Sequence, residues 1–258
     1  MRKIIFNRTM KAQKFNNSEI PFGTLAKFGL TQEMIEDLPQ NVLEEIYNGR
    51  RSPVLPISIT DDDGNTIKAR TRFAFVRLDD GEADVMFYPQ LKKNDLERFS
   101  PDDRKALEAN QAIIAEATMP DGKKVQSFHQ LDPGTNQILY VPTPVIGRNL
   151  EIVAKAMKLT NAELICLQKG MPISVVDGED LHTVGIDLTE KTGIRIALGD
   201  ERKWREDQRQ CGSKYNFGLN GCWASDADGN LDYIPEESYT EELWEEMRKR
   251  NNTTLKHK

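Results

Sequence analysis

The chain has 258 residues, 38% of them apolar and 29% charged, with a formal net charge of −6. This is a globular composition, long enough to bury a real core, and no run approaches the roughly 18 to 20 apolar residues of a membrane span. The N-terminus lacks a signal peptide's apolar stretch, and the three cysteines, Cys166, Cys211 and Cys222, form no Cys-x-x-Cys pair. A reduced cytoplasmic protein is therefore expected.

Residues 1–17 carry Arg2, Lys3, Arg8, Lys11 and Lys14 and no acid, and are expected to form a basic, flexible arm. A pattern of about sixty residues then recurs three times, over 18–89, 90–147 and 148–200. In the first unit a weak helix over 24–28 precedes a helical stripe of Leu38, Val42 and Ile46 that stops at Gly49. Strands are predicted over 54–60, 68–77 and 83–88, with turns at Asp63-Gly64 and Asp80-Gly81.

The second unit opens with a predicted helix over 91–98. Ser100-Pro101-Asp102-Asp103 then supplies a cap, a first-turn proline and two acids for another helix, which ends at Asn110. Strands follow over 112–118, 123–131 and 137–141. The third unit repeats the order: a helix over 149–157, the capping box of Thr160 and Glu163, a stop at Gly170, and strands over 172–176, 181–187 and 193–198. Each unit thus reads as αα-βββ.

Residues 201–250 read as a closing cap. They comprise a charged connector over 201–210, a hairpin turned by Asp226-Ala227-Asp228-Gly229, and a helix over 240–250 with glutamates early and Arg248, Lys249 and Arg250 late. A basic tail fills 251–258. The expected class is α+β: three tandem units of helix pair plus antiparallel meander, closed by a hairpin-helix cap.

Removing the ten basic residues of 1–17 and 248–258 leaves 25 basic against 41 acidic residues, a body at −16. Such a body repels phosphate, so nucleic acid would have to be held by the ends. Trp204, Tyr215, Phe217 and Trp223 interleave with Lys203, Arg205, Arg209 and Lys214, a mixture that can stack bases; aromatics beside a terminal hairpin also close a hydrophobic interior. The candidate nucleic-acid contacts are Arg2, Lys3, Arg8, Lys11, Lys14, Trp204, Trp223, Arg248, Lys249 and Arg250.

Chemistry-bearing patterns are sparse. Asp61 to Asn65 and Asp226 to Asn230 hint at calcium loops, but the glycine comes too early and no bidentate acid stands in register, so both read as hairpin turns. Cys211 and Cys222 have no histidine partners for zinc. His129 and His182 fall on predicted second strands without a nucleophile in register, and Cys166 sits among apolar helix residues as a buried hydrophobe. No catalytic residue, metal or cofactor is expected.

Several blocks carry a resemblance: Glu19-Ile20-Pro21-Phe22, Phe28-Gly29-Leu30-Thr31, Gly49 to Pro56, Val141 to Leu150, Thr183 to Leu188, Lys214 to Gly218 and Asp228 to Tyr233. Together they resemble a family of uncharacterised Bacteroidetes proteins, domains of unknown function encoded on conjugative and other mobile elements, some near topoisomerase genes. The similarity runs from about residue 18 to 250. It implies a setting in mobile-element biology and no site residue. The expected function is a non-enzymatic accessory module that binds a protein partner, tied to DNA processing or defence. The alternative is a nucleic-acid-binding module that uses the basic ends and residues 203–223.

Overall fold

The computed structural model describes residues 15–61, 63–207 and 213–255. The chain divides into two compact units, residues 1–89 with 211–258, and residues 90–210. Among the described residues there are four antiparallel three-stranded sheets and eight α-helices, so the class is α+β.

The first unit begins with Phe15, which is buried against Phe75 and donates its backbone N–H to the Tyr47 carbonyl. Phe15 thus belongs to the core rather than to an arm. Three short helices follow, α1 (Phe22–Ala26), α2 (Gln32–Glu36) and α3 (Gln40–Tyr47), where only two were expected. Thr31 explains the extra one: its hydroxyl accepts from the Met34 N–H and starts α2. Helix α3 buries Val42 and Ile46 and ends at Gly49, which has φ 76°.

Strands β1 (Leu55–Thr60), β2 (Thr66–Arg77) and β3 (Ala83–Pro89) form a meander close to the predicted boundaries. One face of β2 buries Thr71, Phe73 and Phe75 against the helices, as the two-residue period of a strand requires. The aspartates read as turn residues behave as such. Asp61 accepts from the backbone and side-chain amides of Asn65, and Asp226 does the same for Asn230.

In the second unit the helix expected over 91–98 shrinks to one 3-10 turn, Leu96–Arg98. Its groups are used elsewhere: the Leu91 N–H donates to the Thr135 carbonyl, and the Asn94 side-chain amide donates to the Asn136 side-chain oxygen. Helix α4 (Pro101–Glu108) starts at the predicted Ser100 cap and stops at Asn110, φ 57°. Strands β4 (Ile113–Thr118), β5 (Lys124–Asp132) and β6 (Gln137–Pro142) form the second meander.

Helix α5 (Thr143–Met157) starts six residues before its predicted position, because Pro144 lies in its first turn, where proline costs no hydrogen bond. Helix α6 (Asn161–Gln168) has the expected Thr160–Glu163 capping box, and Gly170 follows at φ 82°. A Cβ on Gly170 would run into the Ala112 carbonyl oxygen. Cys166 is half-buried rather than buried, since Leu167 takes the inward position.

Strands β7 (Ile173–Asp177), β8 (Asp180–Ile186) and β9 (Ile194–Leu198) make the third meander. Phe128, Ile146, Leu150, Val153, Leu167, Val184 and Ile186 share one core. Within it the buried Gln130 amide donates to the Asn110 and Ile186 carbonyls, while its oxygen accepts from the Leu188 N–H.

The charged connector is a helix, α7 (Glu201–Asp207). After it the chain returns to the first unit as β10 (Tyr215–Phe217), β11 (Gly221–Ser225), β12 (Leu231–Pro235) and α8 (Glu241–Leu255). The expected hairpin is therefore a fourth meander, because Gly218-Leu219-Asn220 breaks the run read as one strand. It remains a separate sheet beside the first, with the Leu231 N–H donating to the Val54 carbonyl just before β1.

Candidate functional site

Of the residues singled out as nucleic-acid contacts, the structure describes Trp204, Trp223, Arg248, Lys249 and Arg250, and both tryptophans are buried. Arg2, Lys3, Arg8, Lys11 and Lys14 lie outside the described residues. Trp204 is 2% exposed: its ring lies beneath the Arg195 guanidinium at 4.2 Å and covers Gly185, while its indole N–H donates to the Arg195 carbonyl at 3.3 Å. Trp223 is fully buried, packs on Tyr233 and donates to the Met34 carbonyl at 2.8 Å. Both indoles are core residues, and neither offers a face to a base. Arg248, Lys249 and Arg250 are exposed on α8. Arg248 reaches Glu241 at 3.1 Å, Lys249 reaches Glu246 at 2.7 Å, and Arg250 donates to the Tyr215 carbonyl at 3.3 Å. Two of the three cations are thus offset by glutamates of their own helix.

What the first unit does assemble is a wall of half-exposed aromatics beside an acidic groove. The register of β10 puts Tyr215 and Phe217 on one side of the strand. Phe217 meets Tyr239 edge-on at 5.9 Å, and Tyr239 meets Trp244 of α8 edge-on at 5.1 Å. Burial pushes the Tyr239 phenol up to about 12, so it stays a neutral hydroxyl at physiological pH. Next to this row runs a groove of about 640 Å³ between α8 and the β10–β12 sheet. Tyr215, Ile234 and Leu243 give it an apolar lining; Glu242, Glu245 and Glu246 make its acidic edge, and Lys214 and Lys249 stand at the rim.

The platform under this wall is held by Asp37, which the sequence does not flag. Asp37 caps the C-terminus of α2 and is 3% exposed. Its carboxylate accepts the Leu219 N–H at 2.7 Å, the Asn220 N–H at 3.0 Å and the Tyr233 hydroxyl at 2.8 Å, and its carbonyl accepts the Asn216 amide at 3.0 Å. Burial first, and then this carboxylate, hold Tyr233 well above the usual phenol range, so it remains the donor. Gly218 is required because a Cβ there would collide with the Asp37 carboxyl. The clasp fixes the β10–β11 turn with Leu219 standing 92% exposed at its tip. No local pattern could reveal it, since the partners lie about 180 residues apart.

His129 and Cys222 are packed into the interior. The His129 ring is buried between Phe99 and Tyr140, and burial lowers its pKa below the ordinary imidazole value. Cys222 is buried, which pushes its thiol up to about 11 and away from thiolate chemistry. Among the described residues no cluster of three or more His, Cys, Asp or Glu side chains could hold a metal ion, and no helix is long and apolar enough to cross a membrane.

With this geometry in view, one comparison is informative. Residues 15–99 match a family model described as a protein of unknown function, DUF4099. The DUF4099-like segment contains Phe15, Asp37 and the whole first meander, and stops before the aromatic wall. Comparison with curated proteins returns no match.

Proposed function

We propose that the protein is a non-enzymatic interaction module that uses the aromatic wall and acidic groove of its first unit to bind a protein partner in mobile-element biology. The observation that carries this is the row Tyr215, Phe217, Tyr239 and Trp244, half-exposed and braced by ring contacts beside a groove edged by three glutamates. Aromatic anchors of restricted mobility contribute heavily to protein interfaces, because little side-chain freedom is lost when they are covered. The acidic edge favours a partner segment that is basic as well as apolar. Setting the module on mobile elements rests on the sequence resemblance.

We further read the three helix-stop-meander segments as copies of one ancestral unit. In support, a helix, a left-handed residue (Gly49, Asn110 or Gly170) and an antiparallel meander follow in the same order each time.

The test is affinity capture from a lysate of a Bacteroidetes host after nuclease treatment, comparing the natural chain with Glu242→Lys/Glu246→Lys. A protein retained by the first and lost by the second is expected. Capture that vanishes with nuclease, or an unchanged set of proteins, would refute the assignment.

A further inference from the structure

The outward face of the first meander has a chemistry that the acidic composition of the chain conceals. Alternation along β2 buries Thr71, Phe73 and Phe75 and turns Lys68, Arg70 and Arg72 to the opposite side. The register sets Lys68 beside Ser58 and Arg70 beside Pro56 on β1, and Arg72 beside Tyr88 on β3. Arg51 joins them from the preceding loop, its guanidinium 4.0 Å above the Tyr88 ring. Met86, 47% exposed, lies next to Tyr88 on the same side of β3 and accepts its hydroxyl at 3.3 Å.

Four cations and two base-compatible side chains therefore share one face of a small sheet. Acids are fewer there: Asp232 pairs with Arg70 at 2.6 Å, Asp84 stands opposite Val76 further along, and Asp226 is close enough to Arg70 to feel its charge. Arg51 Nη1 and Arg70 Nη1 are shielded from solvent and have no acceptor among the described residues.

We infer that this face, centred on Lys68, Arg70, Arg72, Arg51 and Tyr88, binds the backbone of single-stranded nucleic acid. Alternate residues of a strand stand about 6.8 Å apart, so the three β2 cations form a ladder that can follow successive phosphates of an extended strand. Tyr88 and Met86 beside the ladder suit unpaired bases, whose faces are open, whereas a duplex would present only its phosphates to so flat a surface. The site is separate from the aromatic groove, and the inference stands whether or not a protein binds there.

The experiment is fluorescence anisotropy of a labelled oligothymidylate with the full-length chain, at low and increasing salt. Binding is expected, with log K falling against log salt by about 0.7 per phosphate neutralised. Arg51→Gln/Lys68→Glu/Arg72→Gln is expected to weaken it about ten-fold or more and to flatten the salt slope. Lys68→Glu alone, at an exposed position, is expected to leave the melting temperature within a few degrees of the natural chain's and to weaken binding about three-fold. A duplex of the same length and polyglutamate are expected to compete poorly.

Four results would overturn the inference: no binding at low salt, full affinity in the face variants, equal competition by polyglutamate or by anionic lipid vesicles, or loss of binding only when Arg2, Lys3, Arg8, Lys11 and Lys14 are changed to Gln.

Discussion

Replacing Asp37 is expected to be among the most damaging single changes in the first unit, out of proportion to its size. In Asp37→Ala two backbone N–H groups and the Tyr233 hydroxyl lose their acceptor, and the Asn216 amide stays bonded only to the backbone carbonyl. A hydrogen bond to a charged group contributes about 1.5 to 3 kcal/mol, and a buried donor left without an acceptor costs about 1 to 3 kcal/mol. Water can reach part of the turn through the exposed Leu219, which trims the sum, so the expected loss is about 3 to 5 kcal/mol. Asp37→Asn keeps one carbonyl oxygen but turns an NH₂ group toward a donor, and about 2 kcal/mol is expected. Amide exchange resolved by residue is the suitable assay, because it reports each unit separately. Leu219, Asn220 and the β11 amides should lose protection in Asp37→Ala, while Phe128 and Val184 in the other unit keep theirs. Combining it with Tyr233→Phe should show a coupling above about 1 kcal/mol. A loss below about 0.5 kcal/mol, or equal loss in both units, would refute the clasp as the element that holds the β10–β11 turn.

Three further outcomes follow from the same structure. Gly170→Val and Gly49→Val should each destabilise by more than about 1 kcal/mol, because a β-branched residue is disfavoured at φ near 80° and, at 170, also meets the Ala112 carbonyl; unchanged melting of both would show ordinary loop positions. Trp204→Ala and Trp223→Ala should each cost about 3 to 5 kcal/mol; unchanged melting with lost oligonucleotide binding would place the rings at the surface instead. Burial depresses the His129 pKa in the folded state, so the unfolded chain takes up a proton first as pH falls; stability should drop as pH goes below about 6.5 toward the lower folded value, and His129→Phe should remove that drop in urea titrations at pH 7 and 5.5.

Local chemistry was legible without coordinates wherever the deciding interactions lie within a few residues. The Ser100 cap, the Thr160–Glu163 box, the left-handed stops at Gly49, Asn110 and Gly170, and the Asp-Gly turns all involve neighbours in sequence, and between those turns the alternating and apolar runs mark the nine strands of the first three meanders. The 91–98 segment misleads because its partners, Thr135 and Asn136, lie over forty residues away and outcompete helix formation. The same limit hid the sites. Trp204 and Trp223 look like stacking residues beside Lys203 and Lys214, yet burial is a property of the packed core and not of spacing. Net charge, likewise, sums over the whole chain; the two-residue period of β2 puts Lys68, Arg70 and Arg72 on one face, but only the pairing with β3 sets Tyr88 beside Arg72 there. Sequence alone thus determined the helix caps and stops and the Asp-Gly turns, whose deciding contacts are local, and through them the order of the first three meanders. Only the tertiary structure decided that residues 213–255 return to the first unit and dock on Asp37, because a carboxylate finds its distant donors only once the chain between them has folded.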